Sequence, residues 1–221
     1  MVAIKEGETD LVLVAMQLDE QLGGRGLPLH EMEIIAFYHP EEETCRLVGK
    51  AVVMRIMKSE EPEEKKAAKL SYVSTETRYH MEAREDAGKA LCAILKNAGT
   101  WERLCSIAID SCYPTKTRDM AASDFLDNPG GEGVAAVLGC AGVSEKLREE
   151  KGFMIVREAM ERGDRALIER LGAVGGLPRM LEVCVRSIVG PHARKPPFAK
   201  ERNDPSKKGL LGVISTEPGK K

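Results

Sequence analysis

The sequence predicts an α/β (or α+β) domain: a mixed sheet with antiparallel strands near its N-terminus and helices mainly in the second half. Three observations carry this expectation. Apolar runs bounded by turn residues fill the first seventy-odd positions. A helical period takes over near residue 78, and a compact apolar run, Leu104 to Asp110, follows it in the manner of a strand buried on both faces.

In chain order, Leu11 to Leu18 reads as the first strand, and Gly23-Gly24-Arg25-Gly26 as the turn that ends it. Met32 to Tyr38 and Arg46 to Met57 read as a hairpin joined through His39-Pro40-Glu41-Glu42-Glu43. The charge run from Ser59 to Lys69 suits a solvated loop or surface helix, and Leu70 to Val73 a short strand. Ala87, Leu91, Ile94, Leu95 and Ala98 recur at helical spacing and Gly99 follows, so a helix is expected over 78–98. Further helices are expected over 118–126, 144–151, 153–171 and 177–189, the last from apolar positions 177, 180, 181, 184, 185 and 188. No repeat of fixed period emerges. The expected core includes Leu11, Leu13, Ile34, Ile35, Val52, Val53, Leu91, Ile94, Leu95, Ile107, Ile109, Leu181, Cys184, Val185 and Ile188.

Charge divides the chain in two. The whole carries 33 basic and 35 acidic residues, a formal −2. From Gly190 onward, eight Lys or Arg face three acids and five of the eleven prolines occur. Residues 1–190 are therefore read as one globular domain and 191–221 as a basic, Pro-rich tail. A globally basic nucleic-acid binder is excluded by the balance, which leaves weak RNA binding to the tail alone. No apolar run reaches the roughly 20 residues that span a bilayer, so no membrane partner is expected. The N-terminal stretch lacks a secretory signal and the six cysteines lack any CxxC pair, which together point to a cytoplasmic protein with free thiols and no metal.

Two segments carry the candidate chemistry. Asp110-Ser111-Cys112-Tyr113-Pro114-Thr115-Lys116-Thr117-Arg118 follows the expected buried strand, at the sheet edge where ligands of α/β folds collect. In it Asp110 is a candidate acid or base and Cys112 a candidate nucleophile, while Thr115, Lys116 and Arg118 could hold an anion. Asp127-Asn128-Pro129-Gly130-Gly131-Glu132-Gly133 is the second. Amides at Gly130, Gly131 and Gly133 could cradle a phosphate, and Arg25 could add a guanidinium. The G-x-G-x-x-A match there lacks a preceding strand, and Glu132 would repel phosphate. No P-loop, H-E-x-x-H or P-C-x-x-C pattern occurs, and no cofactor is identified.

Three functions follow as expectations. One is a small cytoplasmic enzyme acting on an anionic or phosphorylated small molecule or cofactor precursor, with the 110–118 loop and the 128–133 turn lining one pocket. A second is a non-enzymatic accessory or scaffold protein that grips a partner through its tail and a helical face, in keeping with ten methionines and few aromatics. RNA binding by the tail is the third. A homo-oligomer stays open.

Overall fold

The computed structural model describes residues 27–128 and 133–190. Among them there are ten α-helices and no strand, so the α/β expectation is corrected to an all-helical architecture. In order these are α1 Leu29–Tyr38, α2 Glu42–Lys58, α3 Glu63–Thr75, α4 Met81–Asn97 and α5 Trp101–Ile109. After them come α6 Thr115–Leu126, α7 Gly133–Gly139, α8 Glu145–Arg162, α9 Arg165–Ala173 and α10 Arg179–Val189.

The expected strands turn out to be helices for one recurrent reason. Met32, Ile35 and Ala36 are buried on α1, and Leu104, Ile107 and Ala108 on α5, which is i, i+3, i+4 spacing hidden inside a dense apolar run. On α2 the buried set is Thr44, Val48, Gly49, Val52, Val53 and Ile56. Leu70 and Val73 lie one turn apart on the buried face of α3. The strand reading also put Ile34 and Ile109 in the expected core, whereas both are exposed on the outer faces of their helices, and Ile188, expected in the core from its helical spacing, lies at the exposed edge of α10. Residues expected as two helices, 144–151 and 153–171, redistribute: α8 runs unbroken to Arg162 and stops at Gly163, whose φ of 69° is left-handed. Leu11, Leu13 and the Leu11–Leu18 strand lie outside the described residues, as does the 191–221 tail.

The helices form hairpins stacked in two layers. α2, α4, α6, α8 and α10 pack side by side, and α1, α3, α5 and α9 each pair with the longer helix that follows. Each layer-forming helix starts after a cap at Glu41, His80, Pro114, Ser144 or Pro178, so successive units are 39, 34, 30 and 34 residues long. Such a stack of neighbour-only contacts is the arrangement of a helical solenoid.

Equivalent positions do equivalent work. The fourth residue after the cap is Arg84, Arg118 or Arg148, and each is buried. Arg84 Nε donates to the Ser74 carbonyl at 3.0 Å and Nη2 to the Cys112 carbonyl at 2.9 Å. Arg118 Nε donates to Ala108 O at 3.4 Å. Arg148 donates to Val143 O, Leu138 O and Gly176 O at 3.1, 3.2 and 2.7 Å. The guanidinium fork thus satisfies the last-turn carbonyls of one helix and ties in a connecting loop. In the first unit Cys45 takes this position, its thiol pointing to Ile35 O and His39 O at 3.8 and 3.3 Å.

The eighth position must be small. A Cβ on Gly49 would sit 2.8 Å from Ala83 Cβ, and one on Gly88 would sit 2.8 Å from Thr117 Cβ with the threonine branches closer still. Ala122 and Gly152 occupy the same place in later units. Close helix approach, not chain flexibility, is what these glycines provide.

Candidate functional site

The described parts of the two segments singled out from the sequence flank opposite ends of α6. Asp110 ends α5 and Thr115 begins α6, whereas Asp127 ends α6 at its other extremity, about 18 Å away at 1.5 Å per residue. Gly133 opens α7 and packs on α5 and α6: a Cβ there would meet Cys105 Sγ at 2.5 Å and Phe125 Cζ at 2.9 Å. Its role is helix contact. Gly130, Gly131 and Arg25 lie outside the described residues.

Within the 110–118 loop the side chains have separate duties. Arg118 is buried against the Ala108 carbonyl and Cys140 Sγ, so it braces helices and is not presented to an anion. Lys116 is exposed and ion-paired with Glu85 at 2.7 Å. Thr115 is exposed at the first turn of α6. Asp110 Oδ1 accepts the Cys112 backbone N–H at 2.9 Å, a turn that closes the end of α5. Cys112 is exposed, and its thiol pKa is raised, first by the hydrogen bond to Asp110 and then by that residue's charge. This is the reverse of what a thiolate nucleophile needs.

Asp110 does belong to a cleft. It lies with Ser71, Leu91, Arg103, Ser106, Ile107 and Tyr113 around an open space of about 280 Å³ between α3 and α5. Leu91 and Ile107 make an apolar floor, both buried. Ser71 Oγ and Tyr113 Oη, 2.6 Å apart, form a polar wall that crosses from one hairpin to the next. Arg103 in α5 and Asp110, the residue that caps its C-terminal end, stand seven residues apart, about 10 Å along the helix axis. Neither makes an ion pair among the described residues, although most charged neighbours on the stack do.

Arg103, Ser71 and Tyr113 escaped the sequence reading. With 104–110 taken as a strand, residues an odd number apart point to opposite faces, so Arg103 and Asp110 could not be seen as partners. A helical reading of the same stretch would have put them together.

Cys45, Cys92 and Cys105 are not activated either. Burial pushes the Cys92 pKa up to about 12, and it raises those of Cys105 and Cys45 as well. Among the described residues no group of His, Cys, Asp and Glu is placed to hold a metal ion. No helix there is long and apolar enough to cross a membrane. Comparison with protein-family models, curated proteins and solved structures returns no match to this chain.

Proposed function

We propose that the chain is a non-enzymatic interaction module, and that the cleft between α3 and α5 holds an extended segment of a protein partner. The observation that carries this reading is the pair Arg103 and Asp110: one cation and one carboxylate, seven residues apart, unpaired among the described residues, on the rim of a cleft with an apolar floor. A solenoid of helical hairpins suits such a role, because repeated units expose long surfaces with clefts between successive helices. A polyproline-type segment rises about 9 Å over three residues, close to the spacing of the two charges. Its acidic residue would pair with Arg103 and a basic residue three positions on with Asp110, while an intervening apolar group would rest on Leu91 and Ile107. A reducing, cytoplasmic setting belongs to the same proposal, since all six cysteines are unbridged.

Panning a displayed library of random peptides against the full chain tests it. Enriched peptides should carry opposite charges about three residues apart, and Arg103→Glu should weaken their binding roughly tenfold or more without moving the thermal melt, as expected for a desolvated charge pair. Failure of any peptide to enrich, or equal binding to the Arg103→Glu chain, would remove the proposal.

A further inference from the structure

The layer of long helices has an outward register that changes along the stack. The fifth residue after a cap faces the second residue of the next unit: Arg46 pairs with Glu82 at 3.0 Å, and Glu85 with Lys116 at 2.7 Å. The ninth position joins in, as Lys50 reaches Glu82 at 2.5 Å. Asp119, again at position five, accepts the Ser144 N–H at 2.7 Å. In the last step Glu149 and Phe153 hold positions five and nine, Met180 holds position two of the final helix and Val183 its position five. The packing of Gly152 on Leu181 confirms that α8 and α10 meet in this alignment.

A ladder of ion pairs therefore ends in an apolar patch. Phe153, Met154, Met180 and Val183 are 39%, 42%, 62% and 58% exposed. Scattered surface methionines need no explanation, but Met180 and Val183 stand where every earlier unit carries a charge, and Phe153 where two earlier units carry Lys50 and Lys89; with Met154 beside them they make an exposed apolar surface that favours a cover. Glu145 and Glu149 edge it, at positions whose counterparts Glu42 and Glu85 face the next helix start. Neither has an ion-pair partner among the described residues.

We infer that this patch is the docking site for the chain's own segment Lys207-Lys208-Gly209-Leu210-Leu211-Gly212-Val213-Ile214. That stretch is the single strongly apolar run of a tail otherwise rich in Lys, Arg and Pro, and two lysines precede it directly. Its composition complements the patch: leucines, valine and isoleucine for Phe153, Met180 and Val183, and lysines for Glu145 and Glu149. The distance is short. α10 carries part of the patch and ends at Val189, and the 17 residues from Gly190 to Ser206 can reach about 55 Å when extended, several times the length of α10. Tethering raises the effective concentration of the segment, so a modest contact suffices. The docked segment would act as a built-in competitor for any external apolar partner of the same face.

Zero-length carbodiimide coupling of the dilute full-length chain, followed by peptide mass spectrometry, tests the inference. Glu85–Lys116 serves as the internal control, since the two already form an ion pair. The expected result is a link from Glu145 or Glu149 to Lys207 or Lys208 within single chains, reduced roughly tenfold by Met180→Asp with Val183→Asp, whose side chains are exposed and whose loss removes the apolar contact. A control link without the tail link would overturn it. So would a tail link unchanged by the double substitution, or one formed only between isotopically labelled and unlabelled chains, which would assign the patch to a second copy. The α3–α5 cleft uses other helices, so either proposal can fail while the other stands.

Discussion

Arg84 joins three consecutive helices: rooted in α4, it donates from Nε to the carbonyl of Ser74 at 3.0 Å, in the last turn of α3, and from Nη2 to the loop that follows α5. Arg148 makes the same bracket two units later. Replacing Arg84 or Arg148 by Met keeps much of the aliphatic volume but strands buried carbonyls. Each variant should lose about 1–3 kcal/mol in urea unfolding, the scale for unsatisfied buried polar groups. A loss below about 0.5 kcal/mol would show that the brackets are incidental.

The small eighth position gives an ordered pair of predictions. Gly88→Ala drives a methyl into the branched Thr117 side chain close to its backbone, with Thr117 Cβ only 2.8 Å away, so the helices must part. It should destabilise by about 1–3 kcal/mol despite the better helix propensity of alanine. Gly152→Ala meets the flexible end of Leu181, which can turn aside. That variant should melt close to wild type, and a larger loss at Gly152 than at Gly88 would refute the packing described.

Acid should loosen the stack through its ion-pair ladder. Lys50 and then Arg46 hold the Glu82 carboxyl down at about 2, and Arg78 does the same for Glu76. A depressed carboxylate adds stability above its unfolded value near 4.3, and that stability is lost as pH falls towards the folded value near 2. The melting temperature of the wild type should therefore fall between roughly pH 4.3 and 2, and less so in Glu82→Gln. Glu82 is exposed, and Glu76 is half-buried but paired with an exposed arginine, so the effect should be small and should shrink further in high salt.

Thiol chemistry separates Cys112 from the rest. Its exposure makes it the first cysteine to be alkylated by iodoacetamide, while Asp110 keeps the thiol protonated. Asp110→Asn should speed that alkylation near neutral pH by raising the thiolate fraction. An unchanged rate, measured by intact mass against time, would mean that Asp110 does not govern the sulfur.

Helix boundaries were legible wherever a cap and a stop framed the apolar period. The 78–98 expectation lies within a few residues of α4 at Met81–Asn97, and 177–189 of α10 at Arg179–Val189. Dense apolar runs hid their period instead, because Met32 to Tyr38 and Leu104 to Asp110 fit both a buried strand and a short helix. Only the neighbouring hairpins decide between them. The repeat escaped for a related reason: its units vary from 30 to 39 residues, and its signature is an arginine with a small residue four positions later, which Cys45 breaks in the first unit and Glu182 with Arg186 in the last helix. Asp110 was found as a candidate through its loop, but its partner Arg103 needs the helix to be known.

A charge-swap cycle on the cleft tests the central proposal most directly. A peptide selected on the wild-type chain would be titrated against wild type, Arg103→Glu, and Arg103→Glu with the acidic residue of the peptide changed to Lys. The first substitution should weaken binding roughly tenfold, and the swapped peptide should recover most of the loss. Equal binding to wild type and Arg103→Glu, or no recovery on swapping, would contradict a partner segment held between Arg103 and Asp110.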